Sequence, residues 1–232
     1  MPIYLLPDEP VFPPASEAEE EGLLAVGGDF SVDRLLAAYA SGIFPWFVHD
    51  GTIYWFSPDP RLVLFPGNFK ESRSLIRILR TARFEVRFDE DFEGVVRACS
   101  KVNRSHESGT WISEDFISGY LELHRKGFAH SVETYHNGDL VGGLYGVSLG
   151  RAFFGESMFF TYSNASKVAL FFLVERLKEW EFSFIDCQVE TEHFRRMGAC
   201  SIPRSEYLKL LASAIRFPTK RGRWGKEVRR KT

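Results

Sequence analysis

The sequence predicts a mixed α/β (α+β) protein built on a largely antiparallel sheet, and three observations carry that prediction. Ser131 to Tyr135 and Leu140 to Ser148 are β-forming stretches on either side of His136-Asn137-Gly138-Asp139, and Asn-Gly is the strongest short hairpin signal. Phe84-Glu85-Val86-Arg87-Phe88 alternates with the period of two of a strand. A helical run from Ser163 or Asn164 to near Trp180 leads into another strand, Phe182 to Val189, which such a crossover can lay parallel to its neighbour.

Taken in order, the chain to about Pro14 is Pro-rich and reads as extended, and Ser16 with Glu19 has the spacing of a capping box. After the Gly27-Gly28 turn, Ser31 caps a helix through Leu35, Leu36 and Tyr39 that stops near Gly42. Ile43 to Phe47 leaves that helix, and Ile53-Tyr54-Trp55-Phe56 reads as a strand. The stop at Ser57-Pro58-Asp59-Pro60 divides a small N-terminal domain, 1–60, from a larger one, 61–232. Arg61 to Phe65 is the next strand, Ser72 to about Arg80 a helix, and Phe92 to Cys99 another. Lys101 to Gly109 is a polar loop, after which Ser113 caps a helix through Phe116, Tyr120 and Leu123 ending at Gly127. Leu149-Gly150-Arg151 turns the chain into Ala152 to Phe159, a third antiparallel strand, and a helix from about Glu190 to Met197 follows the last strand.

Composition narrows the class of function. Apolar content of 44% with 26% charged residues suits a globular protein of 232 residues, and the 22 Phe belong mostly to its core. A net charge of -2 offers no global attraction to nucleic acid, so RNA contact requires a local patch. The tail supplies one, with Lys220, Arg221, Arg223, Lys226, Arg229, Arg230 and Lys231 against the single acid Glu227. Cys99, Cys187 and Cys200 are odd in number and lack a CxxC spacing, and the histidines form no HExxH, so neither a disulfide framework nor a metal site is suggested. With no signal-like or membrane-length apolar run, a cytoplasmic protein is expected.

Two segments promise chemistry, Gly155-Glu156-Ser157-Met158-Phe159 and Phe184-Ile185-Asp186-Cys187-Gln188. In a regular strand Asp186 and Gln188 project side by side, with Ile185 and Cys187 facing the other way. A carboxylate beside a carboxamide suits the orientation of an amine better than the binding of a metal. Glu156 and Met158 would share a side and Phe153 the other, so Phe153 needs a bulge to join Met158. Polar groups set among large apolar residues on neighbouring strands are how small-molecule pockets are lined.

These motifs and their order resemble the leucyl/phenylalanyl-tRNA protein transferases nearly end to end. The resemblance rests on Leu23 to Asp29, Gly42 to Phe47, Trp55 to Arg61, Gly109 to Ile112, Ala129 to Glu133, Val141 to Gly146, Gly155 to Phe159, Asn164 to Lys167, Asp186 to Gln188 and Gly198 to Cys200. It implies a larger domain similar to the GNAT acyltransferase fold behind a small α+β domain, and no metal or nucleotide cofactor. The implied reaction moves Leu or Phe, less readily Met, from Leu-tRNA or Phe-tRNA to the α-amine of proteins beginning with Arg or Lys, marking them for degradation in the N-degron pathway. On that resemblance Gln188 accepts a proton from the amine, Asp186 orients Gln188, and Glu156 pairs with the acceptor's basic side chain. Leu144, Phe153, Met158, Leu173 and Ile185 form the aminoacyl pocket, and Trp46, Trp111, Tyr39 and Tyr120 line the cleft for the terminal adenosine. Leu144 and Leu173 differ from the Met and Phe associated with the family, as does Phe160-Thr161 from an expected Ser-Arg. Two other readings stay open: a CoA-dependent N-acetyltransferase of the same fold, and a tRNA-binding protein without catalysis. The nearest pyrophosphate turn for the first, Arg195 to Cys200, ends in Cys where Gly or Ala is needed. The second leaves Glu156, Asp186 and Gln188 without a task.

Overall fold

The alternating segments of the chain pair into two sheets flanked by capped helices. The computed structural model describes residues 3–102 and 113–225. The elements run β1 (Tyr4–Leu5), β2 (Leu23–Val26), α1 (Val32–Ala40), β3 (Phe44–His49), β4 (Thr52–Phe56), β5 (Arg61–Leu64), α2 (Arg73–Arg80), β6 (Glu85–Phe88) and α3 (Phe92–Ser100). They continue with α4 (Glu114–Arg125), β7 (Ala129–His136), β8 (Asp139–Leu149), β9 (Ala152–Phe160), α5 (Ala165–Glu179), β10 (Phe184–Gln188), α6 (Glu192–Arg196), β11 (Cys200–Ile202) and α7 (Arg204–Ala214). A four-stranded sheet has the order β1-β2-β4-β3, and a seven-stranded sheet the order β11-β5-β10-β9-β8-β7-β6. The class is mixed α/β, as the sequence predicts.

Local chemistry explains most boundaries. The hydroxyls of Ser31, Ser72 and Ser113 accept from the backbone N–H three residues on, capping α1, α2 and α4. Asn137 and Gly138 both take positive φ in the β7–β8 hairpin, which the right-handed twist of the flanking strands favours. β10 lies parallel to β9 after the α5 crossover. Other details depart from the reading. Ser16 falls within a short 3-10 turn, Ala15–Glu17, with no side-chain cap, because Pro14 occupies the cap position. Asn164 precedes α5 in the left-handed region and also makes no side-chain cap. Residues 44–47 leave α1 directly into β3, and β11 and α7 follow α6 where the sequence pattern was silent. Among the described residues, no helix is long and apolar enough to cross a membrane.

One apolar cluster joins the small sheet, α1, α3, α4 and α7 to one face of the large sheet, while a second joins the opposite face to α2, α5 and Trp224. Strand β9, at the centre of the large sheet, feeds both. Its pairing with β8 slips between Tyr145↔Ser157 and Gly146↔Gly155, leaving Glu156 as the extra residue of a bulge. The slip reverses the alternation, so Phe153 and Met158 belong to one cluster while Phe154 and Phe159 belong to the other. Gly146 permits it: a Cβ there would lie 2.1 Å from the Phe154 carbonyl oxygen and 2.6 Å from the Phe153 ring. Gly146→Ala is therefore expected to lower unfolding free energy by about 1–3 kcal/mol in urea titration; an unchanged midpoint would contradict this packing.

Candidate functional site

The strand ends converge on a cavity of about 270 Å3 between β8, β9, α5, β10 and the segment through α6. All five residues assigned to an aminoacyl pocket line it: Leu144, Phe153, Met158, Leu173 and Ile185. The β9 bulge brings Phe153 to the Met158 side, as the sequence required. Leu170, Cys187 and Phe194 line it too; alternation puts Cys187 on the face of Ile185, while nothing in their spacing singled out Leu170 or Phe194. Glu156 and Gln188 are the acid and the amide in its wall.

Asp186 and Gln188 do not share a face. β10 breaks its register with β5 between Asp186↔Val63 and Gln188↔Leu62, and Gln188 sits at φ 62. That left-handed residue turns the carboxamide into the cavity with Ile185 and Cys187, while the Asp186 side chain stays in the interior on the other side. There Asp186 accepts from Arg61 Nε (2.8 Å), Arg61 Nη2 (2.7 Å) and the Tyr207 hydroxyl (2.7 Å). Its remaining bond comes from the Gln188 backbone N–H, at 2.9 Å. Asp186 thus holds the backbone of Gln188 rather than its carboxamide, which corrects the expected contact. Arg61 lies between the rings of Phe44 (4.7 Å) and Tyr207 (4.5 Å) and also donates to the Gly42 carbonyl. Burial is the largest single influence and works against its charge, yet Asp186 and Tyr207 together hold the guanidinium pKa above its usual value. Neither Arg61 nor Tyr207 was singled out from the sequence; an Arg on the same strand face as the buried Val63 was the available signal.

The carboxamide is held from elsewhere. Gln188 Nε2 donates to Glu156 Oε1 at 2.8 Å, and the Tyr120 hydroxyl donates to Glu156 Oε2 at 2.9 Å. Glu156 is only 8% exposed, on a central strand rather than a sheet edge. Burial pushes its carboxyl up to about 7, against hydrogen bonds from Tyr39, Tyr120 and Gln188 that favour the charged form. Tyr39 and Tyr120 are both 0% exposed, so it is their hydroxyls at Glu156, not their ring faces, that reach the site. Trp46 is half-buried on β3, edge-on to Phe56 at 4.8 Å and tilted against the Phe44 that covers Arg61. Trp111 lies outside the described residues.

Of the basic tail, Lys226, Arg229, Arg230 and Lys231 also lie outside the described residues. Lys220, Arg221 and Arg223 are exposed, and Arg221 donates twice to the Lys126 carbonyl while covering the Phe128 ring at 4.6 Å. The tail is pinned by the buried Trp224, which stacks on His130 at 3.9 Å and donates its backbone N–H to Asp89. Among the described residues no group of three His, Cys, Asp or Glu is placed to hold a metal ion.

Residues 63–212 match the family model described as leucyl/phenylalanyl-tRNA protein transferase, and residues 28–59 match the model of that family's N-terminal domain. The chain belongs to the leucyl/phenylalanyl-tRNA protein transferase family. The leucyl/phenylalanyl-tRNA–protein transferase of Myxococcus xanthus is 53% identical over 226 residues, 97% of each chain. That of Desulfatibacillum aliphaticivorans is 53% identical over 227 residues, 98% of this chain and 97% of the relative. Of the readings left open by the residues, an aminoacyl-tRNA-dependent protein transferase is the one that stands. Solved structures overlap only loosely: a GCN5-related N-acetyltransferase from Kribbella flavida gives a TM-score of 0.37 at 11% identity, covering 73% of this chain and 59% of that one. The mixed α/β assignment stands on this transferase's own two sheets and their helices.

The elevated carboxyl has a consequence for stability. Between the ordinary value of 4.5 and about 7, the folded transferase keeps a proton on Glu156 that the unfolded chain releases. Stability contributed by this group therefore falls as pH rises through that window and levels off above it. Buried Glu133, also pushed up to about 7 by burial, adds a slope of the same sign. Urea midpoints measured from about pH 5 to 8 should decline less steeply in Glu156→Gln than in the parent; an identical slope would show that Glu156 titrates normally.

Proposed function

We propose that this transferase moves Leu or Phe, and less readily Met, from aminoacyl-tRNA to the α-amine of proteins that begin with Arg or Lys, marking them for degradation in the cytoplasm. The observation that carries the reading is that one cavity gathers Leu144, Phe153, Met158, Leu173 and Ile185 with the Glu156 carboxyl and the Gln188 carboxamide. An unbranched apolar side chain enters the cavity and leaves the ester carbonyl beside Gln188. The acceptor amine attacks that carbonyl carbon, the ester C–O bond breaks, and the tRNA ribose hydroxyl departs with the proton that the amine gives up. An α-amine has a pKa near about 8, so a neutral fraction is available at physiological pH and no strong base is needed.

The Gln188 oxygen, with Nε2 engaged by Glu156, is left to accept a hydrogen bond from the amine and aim its lone pair. A carboxamide is a very weak base, so the contribution is alignment. Glu156 pairs with the acceptor's guanidinium or ammonium, whose charge favours the ionised carboxyl. Trp46 and Trp111 flank the terminal adenosine, and the basic tail contacts RNA phosphates. The two sheets, and family models that meet near residue 60, support a small N-terminal domain followed by a catalytic one. A pocket of this kind distinguishes one methylene by about 1–3 kcal/mol, so leakage to Met is expected.

Incubation with labelled Leu-tRNA and a reporter beginning with Arg should give RNase-sensitive transfer of label to the reporter, and no transfer would refute the reading. Gln188→Ala should lower kcat by about 100-fold. Glu156→Gln should raise KM for the acceptor by about 10-fold or more; an unchanged acceptor KM would remove Glu156 from that role.

A further inference from the structure

Tyr39 and Tyr120 bring their hydroxyls together inside the protein. Tyr39 belongs to α1 and Tyr120 to α4, two helices that meet across the larger apolar cluster. Their approach is close: a Cβ on Gly119 would lie 2.6 Å from the carbonyl oxygen of Phe30, just ahead of α1. The Tyr120 ring stacks on Phe116 at 4.2 Å and stands edge-on to Tyr145, while the Tyr39 ring lies 5.0 Å from Phe154. The two hydroxyls are hydrogen-bonded to each other, and the Tyr120 proton goes to Glu156 Oε2. Tyr39, Tyr120 and Glu156 thus form one hydrogen-bonded cluster, and the other Glu156 oxygen takes Gln188 Nε2.

A carboxamide has a donor end and an acceptor end, and an ionised carboxylate can take only the donor end. Whatever fixes the Glu156 carboxylate therefore fixes which way the Gln188 oxygen points. We propose that Tyr39 and Tyr120 are positioning residues for the transfer step, acting through Glu156 to hold the Gln188 carboxamide with its oxygen toward the attacking amine. The inference rests on the role given to Gln188 above. It makes the catalytic amide depend on the docking of α1 against α4, far from either residue in the chain. The ionisable groups around Glu156 are Tyr39 from α1, Tyr120 from α4, Tyr145 from β8 and Asp186 from β10. The tyrosine hydrogen bonds favour the ionised carboxyl, so removing a hydroxyl moves its titration to higher pH.

Tyr120→Phe and Tyr39→Phe keep the buried rings and remove one oxygen each. Steady-state transfer should show kcat reduced by about 10-fold or more in Tyr120→Phe, with KM for aminoacyl-tRNA unchanged. The acid limb of its kcat profile should move to higher pH. Because both hydroxyls act on the one Glu156 carboxyl, the loss in the double variant should fall short of the product of the two single losses. A raised KM for aminoacyl-tRNA with kcat preserved would overturn the proposal in favour of a substrate-binding role. So would losses that multiply in the double variant, or an unmoved pH profile. Gln188→Ala, assayed in parallel, separates the two claims: full activity there would sink the role of Gln188 itself. A crippled Gln188→Ala beside an unimpaired Tyr120→Phe would sink only the hydroxyl cluster.

Discussion

The buried ion pair of Arg61 and Asp186 is the constraint on which the site depends. Burying two charges costs several kcal/mol each, and their attraction repays that cost only when the remaining donors and acceptors are also satisfied. Here the bidentate contact, the Tyr207 hydroxyl, the Gly42 carbonyl and the Gln188 backbone N–H provide that satisfaction. The partners come from β5, β10, α7 and the turn between α1 and β3, so one pair fastens the small sheet's entry, the last helix and the end of the catalytic strand. Asp186 faces its own counter-charge, and its hydrogen bond to Gln188 goes to the main chain and not to the carboxamide. What it supplies is a fixed backbone at a residue in the left-handed region.

That geometry gives Gln188 two independent restraints. Asp186 and Arg61 set its main chain from one side of the sheet, and Glu156 sets its carboxamide from the other. Both restraints meet where β9 and β10 run parallel, next to the one bulge in β9. An active site built for ester-to-amide exchange needs little more than a dry apolar seat and a correctly turned lone-pair acceptor, because the attacking amine needs no strong base. In the proposed reaction shape would supply selectivity, with Leu144 and Leu173 among the residues that bound the seat.

Much of this was legible in the residues. Period-two alternation located β6, the Asn-Gly hairpin located β7 and β8, the turn at Leu149-Gly150-Arg151 located β9, and the need for a bulge between Phe153 and Met158 followed from counting faces. The same counting misplaced Gln188, because alternation presumes a regular strand and a positive φ at one non-glycine residue is invisible to it. Tyr39 and Tyr120 were recognisable as residues of the site but not as buried ones, since helical spacing fixes a face and not what packs upon it. Ser16 had the letters of a capping box without a helix to cap. Arg61 showed only as an Arg opening a strand, and its partner lies 125 positions further on, beyond any local pattern. β11 and α7 carry no strong periodic signal and take their places by closing over β5 and over the ion pair.

The most direct test is a crystal structure of the transferase with a non-hydrolysable leucyl- or phenylalanyl-adenosine analogue. The expected result has the apolar side chain among Leu144, Phe153, Met158, Leu173 and Ile185, the carbonyl beside the Gln188 oxygen, and Asp186 still bidentate to Arg61. An Asp186 carboxylate released from Arg61 and bonded to the Gln188 carboxamide, or an aminoacyl group seated outside the cavity, would contradict the account.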